Sequence, residues 1–240
     1  MRTIGGKGGK RQYQLQSVLG QGSFGKVYHS PPYAIKELTI NLHRQAIAAI
    51  RNETAIRREL YHPNIVKLYD ILEENSSLFM VMEYCEMDLS QYLKKYRLDE
   101  QKATDIIKQV TGGLSYLVGR GVIHRDIKPA NILVNSKNEF KLADFGLARH
   151  VQEFDHSLLQ TVAGTPLYMA PQILKKTSYT TKCDIWSTGI IFYELLVGKL
   201  PWTAQNEQEL IFNITKRPLV IPSSLSEWAK TLLTRMIVVN

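Results

Sequence analysis

The hydrophobic and polar positions of this chain change their period about a third of the way along. Up to about residue 82 the apolar residues lie mainly in short runs of β-forming type. Strands are predicted at residues 13–19, 24–29, 33–37, 66–72 and 78–82. A helical spacing at about residues 42–60 predicts one helix among these strands.

From about residue 88 the apolar positions recur at spacings of three and four, as in helices. The clearest cases are KATDIIKQVTGGLSYLV, which begins at Lys102, and CDIWSTGIIFYELLVG, which begins at Cys183. This order predicts an α+β fold of two lobes, a small antiparallel β-sheet lobe with one helix and a larger, mainly helical lobe. Residues 1–12 are rich in Gly, Lys and Arg without periodicity, so they are predicted to form a disordered basic tail.

Composition and charge limit the cellular compartment and the classes of partner that the sequence allows. Two cysteines, Cys85 and Cys183, in 240 residues make neither a disulfide framework nor a CxxC metal pair, which favours an intracellular, cytoplasmic protein. The N-terminus lacks an apolar segment of signal-peptide length, and the longest apolar run is short and contains Glu194, so no membrane span is predicted. The net charge of +8 favours anionic partners such as nucleotide phosphates. Because the basic residues are scattered, no nucleic-acid partner is indicated.

The stretch LGQGSFGKVYHSPPYAIK, from Leu19 to Lys36, contains the spacing GxGxxG. A dinucleotide-binding loop would need a helix directly after the last glycine, but two prolines follow instead. A β-hairpin is therefore predicted, whose glycines let backbone N–H groups approach phosphate oxygens. The predicted phosphate-covering residues are Leu19, Gly20, Gln21, Gly22, Ser23, Phe24 and Gly25.

The hairpin is short, and its register can be predicted. With Pro31-Pro32 at the tip, Val27 lies opposite Lys36, and Ala34 shares their face of the sheet. These three side chains would then point toward a nucleotide. Proline fits poorly at the second central position of a type I turn, so the tip is expected to be wider or to contain a cis bond.

Three further motifs follow in order: HRDIKPANIL, DFGLA and GTPLYMAPQ. With the glycine loop and YAIK, the chain from Tyr13 to its end resembles the eukaryotic protein kinase family, serine/threonine branch. The resemblance implies a sheet lobe at 13–82, a hinge at 83–87 and a helical lobe at 88–240 that stops before the last helices of the family. It also implies ATP and Mg²⁺ as cofactors and protein Ser/Thr hydroxyls as acceptors.

The resemblance assigns catalytic roles by motif. Asp126 would accept the proton of the acceptor hydroxyl, and Lys128 would neutralise the transferred phosphoryl group. Asn131 and Asp144 would hold magnesium, which prefers oxygen ligands. Thr165, in GTP, accompanies Lys128 in the serine/threonine branch.

Lys36 would contact the inner phosphates and be positioned by Glu53 from the helix. Asp184, at the start of a later helix, would anchor the HRD backbone.

The segment VMEYCEMDL resembles the hinge. Met82 would be the gatekeeper, and backbone groups of Glu83 and Cys85 would bond the adenine edge above Leu133. Two interpretations of Asp88 remain open, a contact to the ribose hydroxyls or a cap on the next helix. Cys85 is interpreted as a packing residue rather than a reactive thiol.

Arg125, before the catalytic Asp, implies control by phosphorylation of the activation segment. A phosphate could pair with Arg125 and Arg149. Thr161 occupies the usual position of the modified residue, with Ser157 as the alternative, so Thr161→Ala is expected to lower activity.

Four features depart from the family pattern. Gln172 replaces a glutamate that forms an ion pair late in the helical lobe, the hairpin is about six residues short, and Ala130 replaces a glutamate that binds substrate arginine in many kinases. Arg57 replaces an apolar residue and could bind Glu53, four positions earlier, drawing it from Lys36. On that hypothesis Arg57→Leu raises basal activity.

Two alternatives follow from these departures and from the motifs. A pseudokinase would bind ATP as a scaffold without transferring phosphate, which the complete catalytic set argues against. A small-molecule kinase is disfavoured because GTPLYMAPQ resembles a peptide-docking segment. Within the family, MEYC and YMAP are similar to the Unc-51-like, autophagy-initiating kinases; the substrate and the activating partner are not indicated.

Overall fold

The computed structural model describes residues 2–6, 11–22, 25–39, 53–150, 166–177 and 180–239. In the N-terminal part, five strands form one antiparallel sheet in the order β3-β4-β5-β7-β6. Their bounds are β3 Val18–Gly22, β4 Gly25–Ser30, β5 Tyr33–Thr39, β6 Leu68–Glu74 and β7 Ser77–Glu83. The described part of the predicted helix is helical at residues 53–59 (α1); residues 42–52 lie outside the described residues.

The predicted hairpin and its register are confirmed. Strands β4 and β5 meet at a turn over residues 31–32, and the Pro31-Pro32 peptide bond is cis. Val27 pairs with Lys36 across the ladder, and every pair from Gly25 to Ser30 stays in register. The shortening therefore leaves the facing pattern of the two strands intact.

The prediction of a disordered tail at residues 1–12 is wrong for the described part. Strand β1 (Arg2–Gly5) pairs antiparallel with β2 (Gln12–Leu15). Ile4 is only 1% exposed and belongs to the same apolar cluster as Leu15, Leu72 and Phe79. The burial of Ile4, the Arg2–Glu37 ion pair at 2.7 Å and the Gly5 N–H bond to Glu74 Oε2 at 3.1 Å join this strand to the sheet lobe.

The second lobe is mainly helical, as predicted. Its helices are α2 Leu89–Lys95, α3 Glu100–Gly119, α4 Pro171–Leu174, α5 Lys182–Val197, α6 Glu207–Lys216 and α7 Glu227–Met236. Its short strands are β8 Met87–Asp88, β9 Val122–Ile123, β10 Ile132–Val134, β11 Phe140–Leu142 and β12 Arg149–His150. Helices α3 and α5 share one large apolar core that includes Ile106, Leu114, Ile191 and Phe192. No helix in the described ranges has the length and apolar character needed to cross a membrane.

The loop between α1 and β6 ties the two lobes together. The Val66 N–H donates to the Leu142 carbonyl, and the Leu142 N–H donates to the Asn64 carbonyl, both at 2.9 Å. Because Leu142 belongs to β11, the sheet lobe is hydrogen-bonded directly to a strand of the helical lobe. This junction fixes the position of the sheet lobe relative to strand β11, which follows β10.

Candidate active site

A cleft of about 370 Å³ lies between the sheet lobe and the helical lobe. Its walls contain apolar residues from β3, β4 and β5 on one side and polar residues from the helical lobe on the other. Thirteen residues assigned from the sequence to nucleotide or metal binding line it: Leu19, Gly20, Val27, Ala34, Lys36, Glu53, Met82, Glu83, Cys85, Asp88, Asn131, Leu133 and Asp144. Val27, Ala34 and Lys36 share its wall, as their register predicted.

Of the described residues of the glycine loop, Leu19 and Gly20 line the cleft. Gln21, Gly22 and Gly25 belong to strands β3 and β4 next to the lining residues, whereas Ser23 and Phe24 lie outside the described residues. Gly25 adopts a φ of 151°, and a Cβ there would collide with the Glu37 carbonyl. Glycine is therefore required at this position for the two strands to approach each other.

Lys36 forms the centre of a charged group in the cleft. Its Nζ lies 2.9 Å from Glu53 Oε1 and 3.2 Å from Asp144 Oδ1. Burial by itself lowers the pKa of Lys36, but the two carboxylates outweigh it and hold that pKa above the ordinary lysine value. Burial opposes ionisation of Asp144, yet the Lys36 ammonium brings the pKa of Asp144 below its ordinary value. Both partners are therefore charged at neutral pH.

Asp126 lies beside the cleft, where two side chains contact its carboxylate. Lys128 Nζ donates to Asp126 Oδ2 at 2.8 Å, and Asn131 Nδ2 donates to the same oxygen at 2.7 Å. Asn131 also donates to the Asp126 carbonyl at 2.8 Å, and it lines the cleft itself. Asp126, Lys128 and Asn131 are thus brought together, while Thr165 lies outside the described residues.

The backbone around Asp126 is anchored by Asp184, as the resemblance implied. The N–H groups of His124 and Arg125 each donate to Asp184 at 2.8 Å. Burial raises the pKa of Asp184, and the two N–H donors work against that effect. Arg125 adopts a φ of 67°, as Asp144 does with a φ of 57°. Fixed acceptors and a left-handed backbone hold this loop in one conformation.

The structure decides between the two interpretations of Asp88 and also bears on the role of Cys85. Asp88 Oδ1 accepts from the Gln91 N–H at 2.8 Å, and the Gln91 side chain accepts from the Asp88 N–H at 3.2 Å, which makes a capping box at the start of α2. The cap interpretation is therefore correct, and Asp88 also lines the cleft. Burial and the neighbouring Glu83 raise the pKa of Cys85 to about 12, which agrees with a packing residue.

In this structure Arg57 does not draw Glu53 away from Lys36, and the expected effect of Arg57→Leu on basal activity stays a prediction. Glu53 keeps its bond to Lys36, and Arg57 is 3% exposed with its guanidinium 5.0 Å from the centre of the Phe145 ring. Its Nη1 and Nη2 have no hydrogen-bond acceptor among the described residues. Burial lowers the pKa of Arg57 to about 10. The side chain takes the direction that an apolar residue would, over the aromatic face.

Several lining residues were not predicted. Val66, Glu86, Met87 and Gln91 complete the walls, and Arg57 lies at the side of Glu53. Ala130 and Ala143 line the cleft as well, and their position inside HRDIKPANIL and directly before DFGLA was the available signal.

Gln172, the other departure that concerned the helical lobe, lies in α4. It lines a separate cavity of about 590 Å³ together with Lys182 and Arg235.

An antiparallel sheet with one helix, a helical lobe, and a cleft that joins Lys36, Glu53 and Asp144 define a two-lobed protein kinase. The family comparison agrees: the protein kinase domain matches residues 13–240, and the chain belongs to this family.

Curated relatives are named as protein kinases, and several of them as serine/threonine kinases. The chain is 35% identical over 246 residues to the serine/threonine-protein kinase atg1 of Dictyostelium discoideum, covering 95% of this chain and 36% of that protein. It is 37% identical over 238 residues to CBL-interacting protein kinase 5 of Oryza sativa subsp. japonica, covering 94% of this chain and 51% of that protein. The chain thus spans about a third to a half of the relatives it matches. The atg1 similarity agrees with the expected resemblance to Unc-51-like kinases, and the rice kinase is similar to the same degree.

Proposed function

We propose that this protein is an ATP-dependent serine/threonine protein kinase that transfers the γ-phosphoryl group to a protein hydroxyl. The observation that carries the proposal is the bonding of Lys36 to both Glu53 and Asp144, with Asp126, Lys128 and Asn131 joined beside the same cleft. The names of several relatives support the serine/threonine class. They also favour catalysis over a scaffold role.

Asp126 orients the acceptor hydroxyl and takes its proton. Its carboxylate is held by Lys128 and Asn131, so its direction is fixed before the substrate arrives. The transition state of phosphoryl transfer is loose and needs little base strength, so a carboxylate suffices. Lys128, 2.8 Å from Asp126, is placed to neutralise the transferred group.

Magnesium fits the oxygen donors present. The Asp144 carboxylate and the Asn131 amide both line the cleft, and magnesium is commonly bound by one or two protein oxygens together with substrate phosphates. When bound, the metal neutralises charge on the phosphates.

The remaining lining residues would bind the nucleotide. Backbone groups of Glu83 and Cys85 bond the adenine edge, with Met82 as gatekeeper, Leu133 below the ring and Asp88 near the ribose. The glycine loop covers the phosphates, and Lys36 contacts the inner ones. Thr161, which lies outside the described residues, is proposed as the activating phosphorylation site, and the cytoplasm as the location.

Transfer of labelled phosphate tests the proposal. The purified chain is incubated with γ-labelled ATP, Mg²⁺ and a generic Ser/Thr acceptor, beside Asp126→Asn. Positioned proton transfer contributes about 10²–10⁴-fold, so the variant should lose at least about 100-fold in kcat. Wild-type protein that binds ATP without transferring phosphate would support the scaffold function instead. Equal rates in the two proteins would remove Asp126 from the mechanism.

A further inference from the structure

Lys141 is a buried cation outside the catalytic group. It lies in β11, is 6% exposed, and its Nζ donates to the Pro63 carbonyl at 2.7 Å. The same nitrogen lies 3.1 Å from Glu83 Oε1 and 3.5 Å from Glu139 Oε2. The Lys141 ammonium thus makes one hydrogen bond to a backbone carbonyl and lies within ion-pair distance of two carboxylates.

The three partners come from different parts of the molecule. Pro63 belongs to the loop between α1 and β6, Glu83 ends strand β7, and Glu139 precedes β11. Lys141 therefore connects two segments of the sheet lobe to a strand of the helical lobe through one atom.

Glu83 is held from a second side as well. Its Oε2 accepts from the Lys67 N–H at 3.3 Å, and its own N–H donates to the Lys67 carbonyl at 2.9 Å. Since Glu83 also lines the cleft at the point where the chain passes between the lobes, its position affects the width of the cleft.

We propose that Lys141 is a positioning residue that acts through Glu83 to hold the inter-lobe segment and thereby slows nucleotide release. The inference rests on the proposed function, because it assumes that the cleft binds ATP and ADP. Removing one partner of a buried charge pair leaves the other charge unpaired. Where such a pair holds the lobes together around a bound nucleotide, its loss mainly raises the dissociation rate of that nucleotide. Without Lys141, the segment at Glu83 loses its link to β11, and the lobes separate more readily.

Stopped-flow release of fluorescent mant-ADP with Mg²⁺ tests this inference. Lys141→Met and Glu83→Gln should each release mant-ADP about threefold to tenfold faster than wild type. The double variant should release it no faster than the faster single variant, because both changes break the same Lys141–Glu83 ion pair. Lys137→Met is the matched control, since Lys137 is exposed in the same β10–β11 turn. The control should release at the wild-type rate, and the KM for the acceptor peptide should stay constant in all variants.

Wild-type release rates in Glu83→Gln would overturn the inference, as would fully multiplicative effects in the double variant. If Lys141→Met does not fold, Glu83→Gln decides alone. In either orientation of the new side-chain amide, its NH₂ group faces one of the two donors, Lys141 Nζ or the Lys67 N–H, and loses that contact. Failure of wild-type protein to bind mant-ADP at all would contradict the proposed function rather than the role of Lys141.

Discussion

Arg57 places a buried guanidinium group beside the cleft, against the ring of Phe145. Its Nη atoms lack acceptors among the described residues, and each buried unsatisfied donor costs about 1–3 kcal/mol. The cation–π contact between the guanidinium and the Phe145 ring stabilises the folded state by up to about 2 kcal/mol. Charge attraction from Glu53 and Asp144 offsets a further part.

Arg57→Met should therefore raise the free energy of unfolding by about 1 kcal/mol, because a flexible apolar side chain fills the same space without unpaired donors. Thermal or urea denaturation measures this change. Arg58→Met, at the exposed neighbouring position, is the control and should stay near wild type. A lower stability of Arg57→Met would show that the charge and its aromatic contact outweigh the unpaired donors.

Cys85 should react slowly with electrophiles in spite of its place in the cleft. Its pKa of about 12, raised by burial and Glu83, makes the thiolate scarce at pH 8. A thiolate of higher pKa is intrinsically more nucleophilic, which offsets part of the rate lost through the smaller thiolate fraction. Iodoacetamide labelling of Cys85 should therefore be about 30-fold slower than that of a model thiol.

The labelling rate of Cys85 should rise steadily from pH 7 to about pH 10 without a plateau, since these values lie below the pKa. Mass spectrometry of labelled peptides measures the rate, with Cys85→Ser as the control; Cys183 is buried. A plateau near pH 8 would contradict the shifted pKa.

Among the elements, strand β1 is joined to the sheet lobe by a buried apolar side chain, Ile4. Ile4 is packed with Leu15 and Leu72, whereas Thr3 is exposed next to it. Ile4→Ala should lower the free energy of unfolding by about 2–4 kcal/mol, the usual cost of removing a buried Ile side chain.

The matched control for Ile4 is Thr3→Ala, which should remain within about 0.5 kcal/mol of wild type. Urea denaturation compares the two. Equal stability of all three proteins would mean that β1 contributes nothing to the sheet lobe.

Patterns among neighbouring residues predicted most helices and strands. They failed where contacts between residues far apart in the chain determine the structure. The register of β4 and β5 follows from a two-residue turn and a period of two, so Val27 and Lys36 could be paired from sequence. Strand β1 depends on residues far along the chain, which no local pattern contains. Asp88 permitted two local interpretations, and only the position of Gln91 in α2 separated them.

At the scale of the whole molecule, motif order predicted which residues line the cleft, because each motif is fixed to one wall by its own element. The direction of a long side chain was not predictable in this way. Helical spacing allowed Arg57 to contact Glu53, but competition from Lys36 and the aromatic face of Phe145 directs it elsewhere. Lys141 was missed because its three partners lie in three separate segments.

For ligand chemistry, Arg57 changes what the deep end of the cleft can recognise. Where an apolar residue would favour a hydrocarbon substituent, Arg57 lines the cleft and brings two buried NH₂ groups, Nη1 and Nη2, that have no acceptor among the described residues. A compound whose inner end carries a carbonyl or nitrile group can satisfy such donors, while its methyl analogue cannot. Selective inhibitors of this kinase can therefore be sought by exchanging a single buried substituent.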